Sequence, residues 1–394
     1  MLHAVLLMPL AEQRGGGELM LWHLLREPAA SGVRWIVVFF EDGPMVAQVR
    51  AAGAQVHVVP VGRLRQPFSM FRCVKKIAKI VRDEQATLIF SWMPKAHLYG
   101  GLVSAITGVP TGWYQLGMPS KMQWLDWLPT VIPARGVLAC SKAGAEAQGR
   151  MWPSRLPRVV HPGAELDRFD AAKVGSGGEL RKKLGLPATG PIIGIVGRLQ
   201  RWKGIHVLIE AMPRILIGHA DAHCVIVGGT HDPEPTYRAY LDSRIQALGL
   251  KNQITMAGLQ KNVPEWMAAM DVVVHASDRE PFGIVIIEAM ALGKPVVAND
   301  TAGPTEIITN GVDGLLTPFE NADALADAVL RYLDHPAFAA QVGAAAWRRA
   351  QDFSTARFAH NVTTALCEMA DCRQPFTAEP LPQNAPANQV SPVC

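Results

Sequence analysis

The pattern that most restricts the fold of this chain is a regular alternation of short apolar runs with stretches long enough to form a helix. A first series of runs falls at about residues 3–8, 35–40, 55–59, 87–92, 110–114 and 136–140. A second series occupies 191–196, 224–227, 254–256, 271–274, 295–297 and 314–316. Near-continuous apolar runs of this length suit strands buried on both faces, and the intervening stretches supply the crossover helices of parallel sheets. At 394 residues and 49% apolar content the chain exceeds what one core usually supports. The expected fold class is therefore α/β, with two doubly wound Rossmann-like domains in series. Ligands of such domains collect at the carboxyl ends of the strands, and the natural site lies in the cleft between the two.

The expected division is a first domain over 1–170, a linker over 171–190 centred on Val174-Gly175-Ser176-Gly177-Gly178, and a second domain over 191–350. A helix over 351–372 is expected to pack back on the first domain. Residues 373–394, rich in Pro, Ala, Gln and Asn, read as a disordered tail. The net charge of +4 is too mild for a general nucleic-acid binder. Cysteines at 73, 140, 224, 367, 372 and 394 form no close pair and no metal-ligand spacing, and read as reduced thiols in the cytoplasm. The amino terminus lacks a basic segment ahead of its short apolar run, so it reads as a first strand.

Glu280 and Glu288 bracket Glu280-Pro281-Phe282-Gly283-Ile284-Val285-Ile286-Ile287-Glu288, which follows an apolar run directly. Pro281 suits a first helical turn and Gly283 lets a ligand approach the backbone. Free N–H groups near Gly283, Ile284 and Val285 would then make an anion site suited to a diphosphate. Glu288, one turn further on, interrupts an apolar face and needs a partner there.

A second candidate segment, Gly197-Arg198-Leu199-Gln200-Arg201-Trp202-Lys203-Gly204, follows the first strand of the second domain. Arg198 offers a planar fork and Lys203 a point charge for a diphosphate leaving group. Solvated loop cations are the bland alternative, and the position at a strand end favours phosphate. In the first domain Gly15-Gly16-Gly17 follows strand one. It suits close backbone approach and a plain flexible turn equally well, and it lacks the Gly-x-Gly-x-x-Gly spacing of a dinucleotide site. No Asp-x-Asp occurs, so a metal-dependent sugar-nucleotide fold has no support.

Together these segments resemble the retaining glycosyltransferases of family four, which have the GT-B fold. The resemblance covers about residues 2–350. It rests on Gly16-Gly17-Glu18, on Gly197-Arg198 with Lys203-Gly204, on the stretch from Ser277 through Glu288 to Val297, and on Gly303-Pro304-Thr305-Glu306 with Gly311 and Gly314. It implies that Arg198 and Lys203 grip the donor diphosphate and that the backbone at Gly283 and Ile284 helps. It implies further that Glu288 accepts from the ribose hydroxyls, Glu280 contacts the transferred sugar, and Gly16 and Gly17 close over the donor.

One position departs from the family pattern. Where many members have a histidine near the donor sugar, Gln115-Leu116-Gly117 places Leu116. Gln115 is one candidate substitute; His97, at the head of an apolar helix, reads as structural.

The implied activity is metal-independent transfer of a hexose-type unit from a nucleotide diphosphate sugar to a hydroxyl, with retention and no cofactor. The acceptor expected is a lipid-linked saccharide of bacterial surface polysaccharide synthesis, on the acceptor-side first domain. Residues 63–82 interleave Arg65, Arg72, Lys75, Lys76, Lys79 and Arg82 with Phe68, Phe71, Val74 and Ile77. That pattern suits either an anionic membrane surface on the inner face of the plasma membrane or an ordinary outer helix. A GT-B sugar-nucleotide epimerase and a non-catalytic sugar-nucleotide-binding partner subunit are the competing readings.

Overall fold

The computed structural model describes residues 1–13, 15–62, 67–120, 124–152, 155–175, 177–231 and 233–378. Arg14, Arg63, Arg65, Ser176, the side chains of Trp124 and Leu125, and positions 379–394 of the expected tail lie outside the described residues. The chain divides into two units. One comprises Met1–Gly163 and the segment beginning at Thr355; the other is Ala164–Ser354.

In the first unit β1 (Leu2–Met8), β2 (Val33–Phe39), β3 (Gln55–Val58), β4 (Leu88–Trp92), β5 (Thr111–Gln115), β6 (Gly136–Ala139) and β7 (Arg158–Val159) build one sheet. Their order is β3-β2-β1-β4-β5-β6-β7 and every pairing is parallel. Helices cover both faces, which is why the strands are apolar on successive residues rather than alternate ones. Val5, Leu7, Ile36 and Ile89 meet Val74, Ile77 and Val81 of helix Pro67–Asp83 and Val103 of helix Pro94–Thr107. Helix Thr355–Ala370 belongs to this unit, its Phe358 stacked on Tyr114 of β5.

The second unit repeats the design with β8 (Ile192–Val196), β9 (His223–Val227), β10 (Ile254–Gly258), β11 (Val272–His275), β12 (Val296–Asn299) and β13 (Leu315–Thr317), ordered β10-β9-β8-β11-β12-β13 and parallel throughout. Alternate strand residues serve opposite cores. Ile193, Ile195, Val272 and Val274 pack with Leu208, Ile209 and Met212, whereas Ile192 and Val273 pack with Met267, Ile286, Ile287 and Met290. Both sheets reverse strand order between their first and fourth strands, so each unit has a crevice at the carboxyl ends of β1 and β4 or of β8 and β11.

The expected linker at 171–190 is corrected. It carries helices Ala171–Val174 and Gly177–Leu184 and belongs to the second unit. Leu180 and Leu186 anchor it by burial against Met267 and Ala269, which its glycine and lysine content hides. The unit's ends are tied together: the Ala164 N–H donates to Phe353 O at 2.9 Å, and Ala164 bridges to Ser354.

No helix among the described residues is long and apolar enough to cross a membrane. Cys73, Cys140, Cys224 and Cys372 are not disulfide-bonded. Cys367 is disulfide-bonded, which corrects the expectation of reduced thiols throughout.

Candidate active site

The loop after β8 and the loop after β11 flank the crevice of the second unit, and they bring Lys203 to Glu280. Lys203 Nζ donates to Glu280 Oε2 at 2.5 Å. Two backbone features hold the loops this close. Gly204 adopts φ +66, and a Cβ there would stand 1.9 Å from Ala276 O, so only glycine permits the approach. The Asp278 N–H donates to Trp202 O at 2.7 Å, tying the same two loops. Lys203 Nζ also lies 4.0 Å from the centre of the Trp202 ring.

Glu280 is held at its backbone and at one oxygen. Its carbonyl accepts from the Gly303 N–H at 3.0 Å, and Oε2 receives Lys203 and, at 3.3 Å, His275 Nε2. Burial alone would raise the carboxyl pKa, but the Lys203 charge and the His275 contact outweigh it and hold the group down at about 2. Glu280 is therefore an ionised carboxylate at neutral pH.

The helix after this loop is Ile284–Ala291, with Gly283 as its N-cap at φ +111. Pro281 lies ahead of the cap, not in the first turn as expected, because the left-handed Gly283 separates it from the helix. The first N–H to close the helix is that of Ile286, donating to Gly283 O at 2.9 Å. The N–H groups of Gly283, Ile284 and Val285 are left as the donors of the helix start. The Glu288 carboxylate makes no hydrogen bond or ion pair among the described residues. Burial raises its pKa to about 7, opposed by the Arg168 guanidinium. A carboxylate kept this way in an apolar helix is unsatisfied until something donates to it.

Arg198 is exposed on the loop after β8. Gly16 and Gly17 form the first turn of helix Gly16–Arg26 rather than a loop, with Gly15 as N-cap. Gly17 O accepts from Trp92 Nε1 at 2.9 Å, across the crevice of the first unit between β1 and β4. A Cβ on Gly17 would fall 3.2 Å from Leu116 Cδ1, so Leu116 stands in the same corner as the glycines. Gln115, the candidate substitute for the missing histidine, is committed to contacts within the first unit. It is buried, with Nε2 donating to Gln148 and Oε1 accepting from the Gly117 N–H. His97 is buried and stacked on Trp113, and burial lowers its pKa to about 3.

Residues 177–349 match the family model for glycosyl transferases group 1, and residues 14–168 match the model for Glycosyltransferase Family 4. The chain is 32% identical over 256 residues to the lipopolysaccharide core biosynthesis glycosyltransferase LpsE of Rhizobium meliloti, a match covering 64% of this chain and 67% of LpsE. This chain belongs to the GT-B glycosyltransferases related to Family 4. Other curated relatives are matched over less of their length. The lipopolysaccharide core mannosyltransferase LpsB of Rhizobium meliloti is 31% identical over 40% of this chain and 45% of its own. A D-inositol 3-phosphate glycosyltransferase of Corynebacterium jeikeium is 36% identical over 44% and 43%. The chain thus spans a little under half the length of these two relatives.

Among solved structures, Anabaena Alr3699/HepE in complex with UDP superposes with TM-score 0.82 at 26% identity, covering 93% of this chain and 100% of HepE. The same protein in complex with UDP-glucose superposes with TM-score 0.80 at 26% identity, with the same coverage.

Sequence reasoning missed two residues of this site. His275 ends an otherwise all-valine strand, and that change of type five residues before Glu280 was the available signal. Arg168, whose Nη2 donates to Lys261 O at 3.0 Å and whose charge acts on Glu288, sits in a short 3-10 turn that no motif marked. Among the described residues, no group of three or more His, Cys, Asp or Glu is placed to hold a metal ion.

Proposed function

We propose that this chain transfers a hexose-type sugar from a nucleotide diphosphate sugar to a hydroxyl acceptor with retention, the acceptor being a lipid-linked saccharide of bacterial surface polysaccharide synthesis. The observation that carries the proposal is the second-unit crevice itself. What supports the reading is the Lys203–Glu280 pair beside the Gly283-capped helix start, with Glu288 one turn further along the same helix. The UDP and UDP-glucose complexes of HepE support a nucleotide sugar as the co-substrate.

In this reading the diphosphate takes the N–H groups of Gly283 and Ile284 together with Lys203 and Arg198. These stabilise the charge that grows as the bond from the sugar's anomeric carbon to the diphosphate oxygen breaks. The acceptor oxygen bonds to that carbon on the same face and gives its proton to the departing diphosphate oxygen. Glu280 holds the sugar and Glu288 the ribose hydroxyls.

Peripheral association with the inner face of the plasma membrane is part of the proposal. Phe68 and Phe71 are 84% and 54% exposed on helix Pro67–Asp83, beside the exposed cations Arg72, Lys75, Lys76, Lys79 and Arg82.

The deciding experiment is a thermal-shift screen of UDP- and GDP-sugars, followed by transfer assays with the stabilising donor and polyprenyl-linked acceptors. Stabilisation by a donor, with transfer lost in Glu280→Ala, is the expected result. No shift with any nucleotide sugar refutes the proposal.

A further inference from the structure

The two oxygens of Glu280 have different fates. Both protein contacts, Lys203 Nζ at 2.5 Å and His275 Nε2 at 3.3 Å, fall on Oε2, while Oε1 makes no hydrogen bond among the described residues. His275 is 3% exposed, and its Nδ1 is buried without a partner. Its Nε2 also lies 3.3 Å from Ser277 Oγ, and the Asn299 amide fixes this segment by donating to Ser277 O at 3.0 Å. A buried imidazole with one orphaned nitrogen costs free energy that a valine at this strand position would avoid. Packing therefore gives no reason for a histidine at the end of β11, whereas the contact to Glu280 does.

Lys203 cannot serve Glu280 and a diphosphate equally. A dianionic ligand in the crevice draws the ammonium toward itself, and the buried carboxylate then needs another donor on Oε2. We infer that His275 is the positioning residue that keeps Oε2 of Glu280 in place when Lys203 turns to the donor, so that Oε1 stays aimed at a sugar hydroxyl. This rests on the donor reading above. His275 acts through Glu280, with hydrogen on Nε2, the only tautomer that can donate to a carboxylate while Nδ1 lacks a partner.

The test compares His275→Leu, which removes the donor, with His275→Gln, whose amide nitrogen reaches the place of Nε2. UDP-glucose and GDP-mannose are used as probes, each beside its free nucleotide. Both variants are expected to bind UDP or GDP within about twofold of wild type, because the diphosphate contacts are untouched. Release of nucleotide from the sugar donor is expected to fall at least about tenfold in His275→Leu and to stay within about threefold in His275→Gln.

Equal rates in His275→Leu and wild type overturn the inference. So does an equal loss in both variants accompanied by equal loss of Tm, which marks a packing role. If His275→Leu does not fold, His275→Asn, whose amide stops at the place of Nδ1, replaces it with the same expected loss. A wild-type chain that binds neither nucleotide overturns the donor reading and this inference with it, whereas normal nucleotide binding with unaffected variants overturns this inference alone.

Discussion

Lys203 and Glu280 are ion-paired at 2.5 Å, with side chains only 17% and 12% exposed. Two residues to which the family resemblance gives separate tasks thus restrain each other in the free protein. Glu280 has a folded-state pKa of about 2 against an ordinary 4.5, so the pair's stabilisation is present above about pH 4.5 and is lost as pH falls through 2. The pair is intact across the physiological range, and only a competing anion opens it.

Lys203→Ala should lower turnover by about 10²–10³-fold, the usual effect of removing one preorganised donor to a developing charge, and should weaken nucleotide binding. Glu280→Ala should abolish transfer yet bind UDP or GDP at least as tightly as wild type, since the ammonium is released from its partner. Calorimetry beside transfer assays checks both. Equal weakening of nucleotide binding in the two variants contradicts the competition described here.

Glu288 makes the opposite pH prediction. Its folded-state pKa of about 7 lies above the ordinary 4.5, so the free protein loses stability as pH rises from 4.5 to 7, and the cost is complete above 7. Glu288→Gln should stabilise the ligand-free chain at pH 8 by on the order of 1–3 kcal/mol, while weakening nucleotide binding. In wild type, nucleotide affinity should rise with pH through 7 as the carboxylate gains its full accepting capacity. Chemical denaturation and binding isotherms at pH 6 and 8 measure both, and a pH-independent affinity would count against a ribose contact.

Gly204→Ala places a methyl group 1.9 Å from Ala276 O on a backbone at φ +66. A loss of at least about 2 kcal/mol of stability is expected, with donor binding reduced because Lys203 is displaced. Gly178→Ala is the contrast. Its added methyl group meets open space in helix Gly177–Leu184, and a gain of up to about 1 kcal/mol is expected. Similar Tm values for the two variants would remove the argument that Gly204 sets the loop spacing.

Phe68→Ser combined with Phe71→Ser should leave folding unchanged, because both rings are exposed, and should abolish flotation with vesicles containing anionic lipid. A wild-type chain that stays in the soluble fraction refutes the membrane proposal outright.

Much of this architecture was legible in the sequence, since strands buried on both faces must be apolar throughout and the crossovers must be helical. Each expected run lies on a strand, and only the two-residue β7 was missed, because so short a pairing has no periodicity. The segment at 171–190 was misread because glycine and lysine dominate its composition, while the two leucines that bury it make too weak a pattern. The chemical segments around Lys203 and Glu280 were found by residue type and strand position. Their mutual pairing was not, because it depends on Gly204 having no side chain. His275 and Arg168 escaped because each acts on a carboxylate brought near by folding rather than by spacing along the chain.

The Ala164 bridge to Ser354 has a consequence for how such chains diversify. A unit that starts and finishes at one paired point can be excised and replaced by another of different length, because the rest of the chain sees only two adjoining splice points. The second unit can therefore be exchanged as a single piece, leaving each half free to evolve at its own pace.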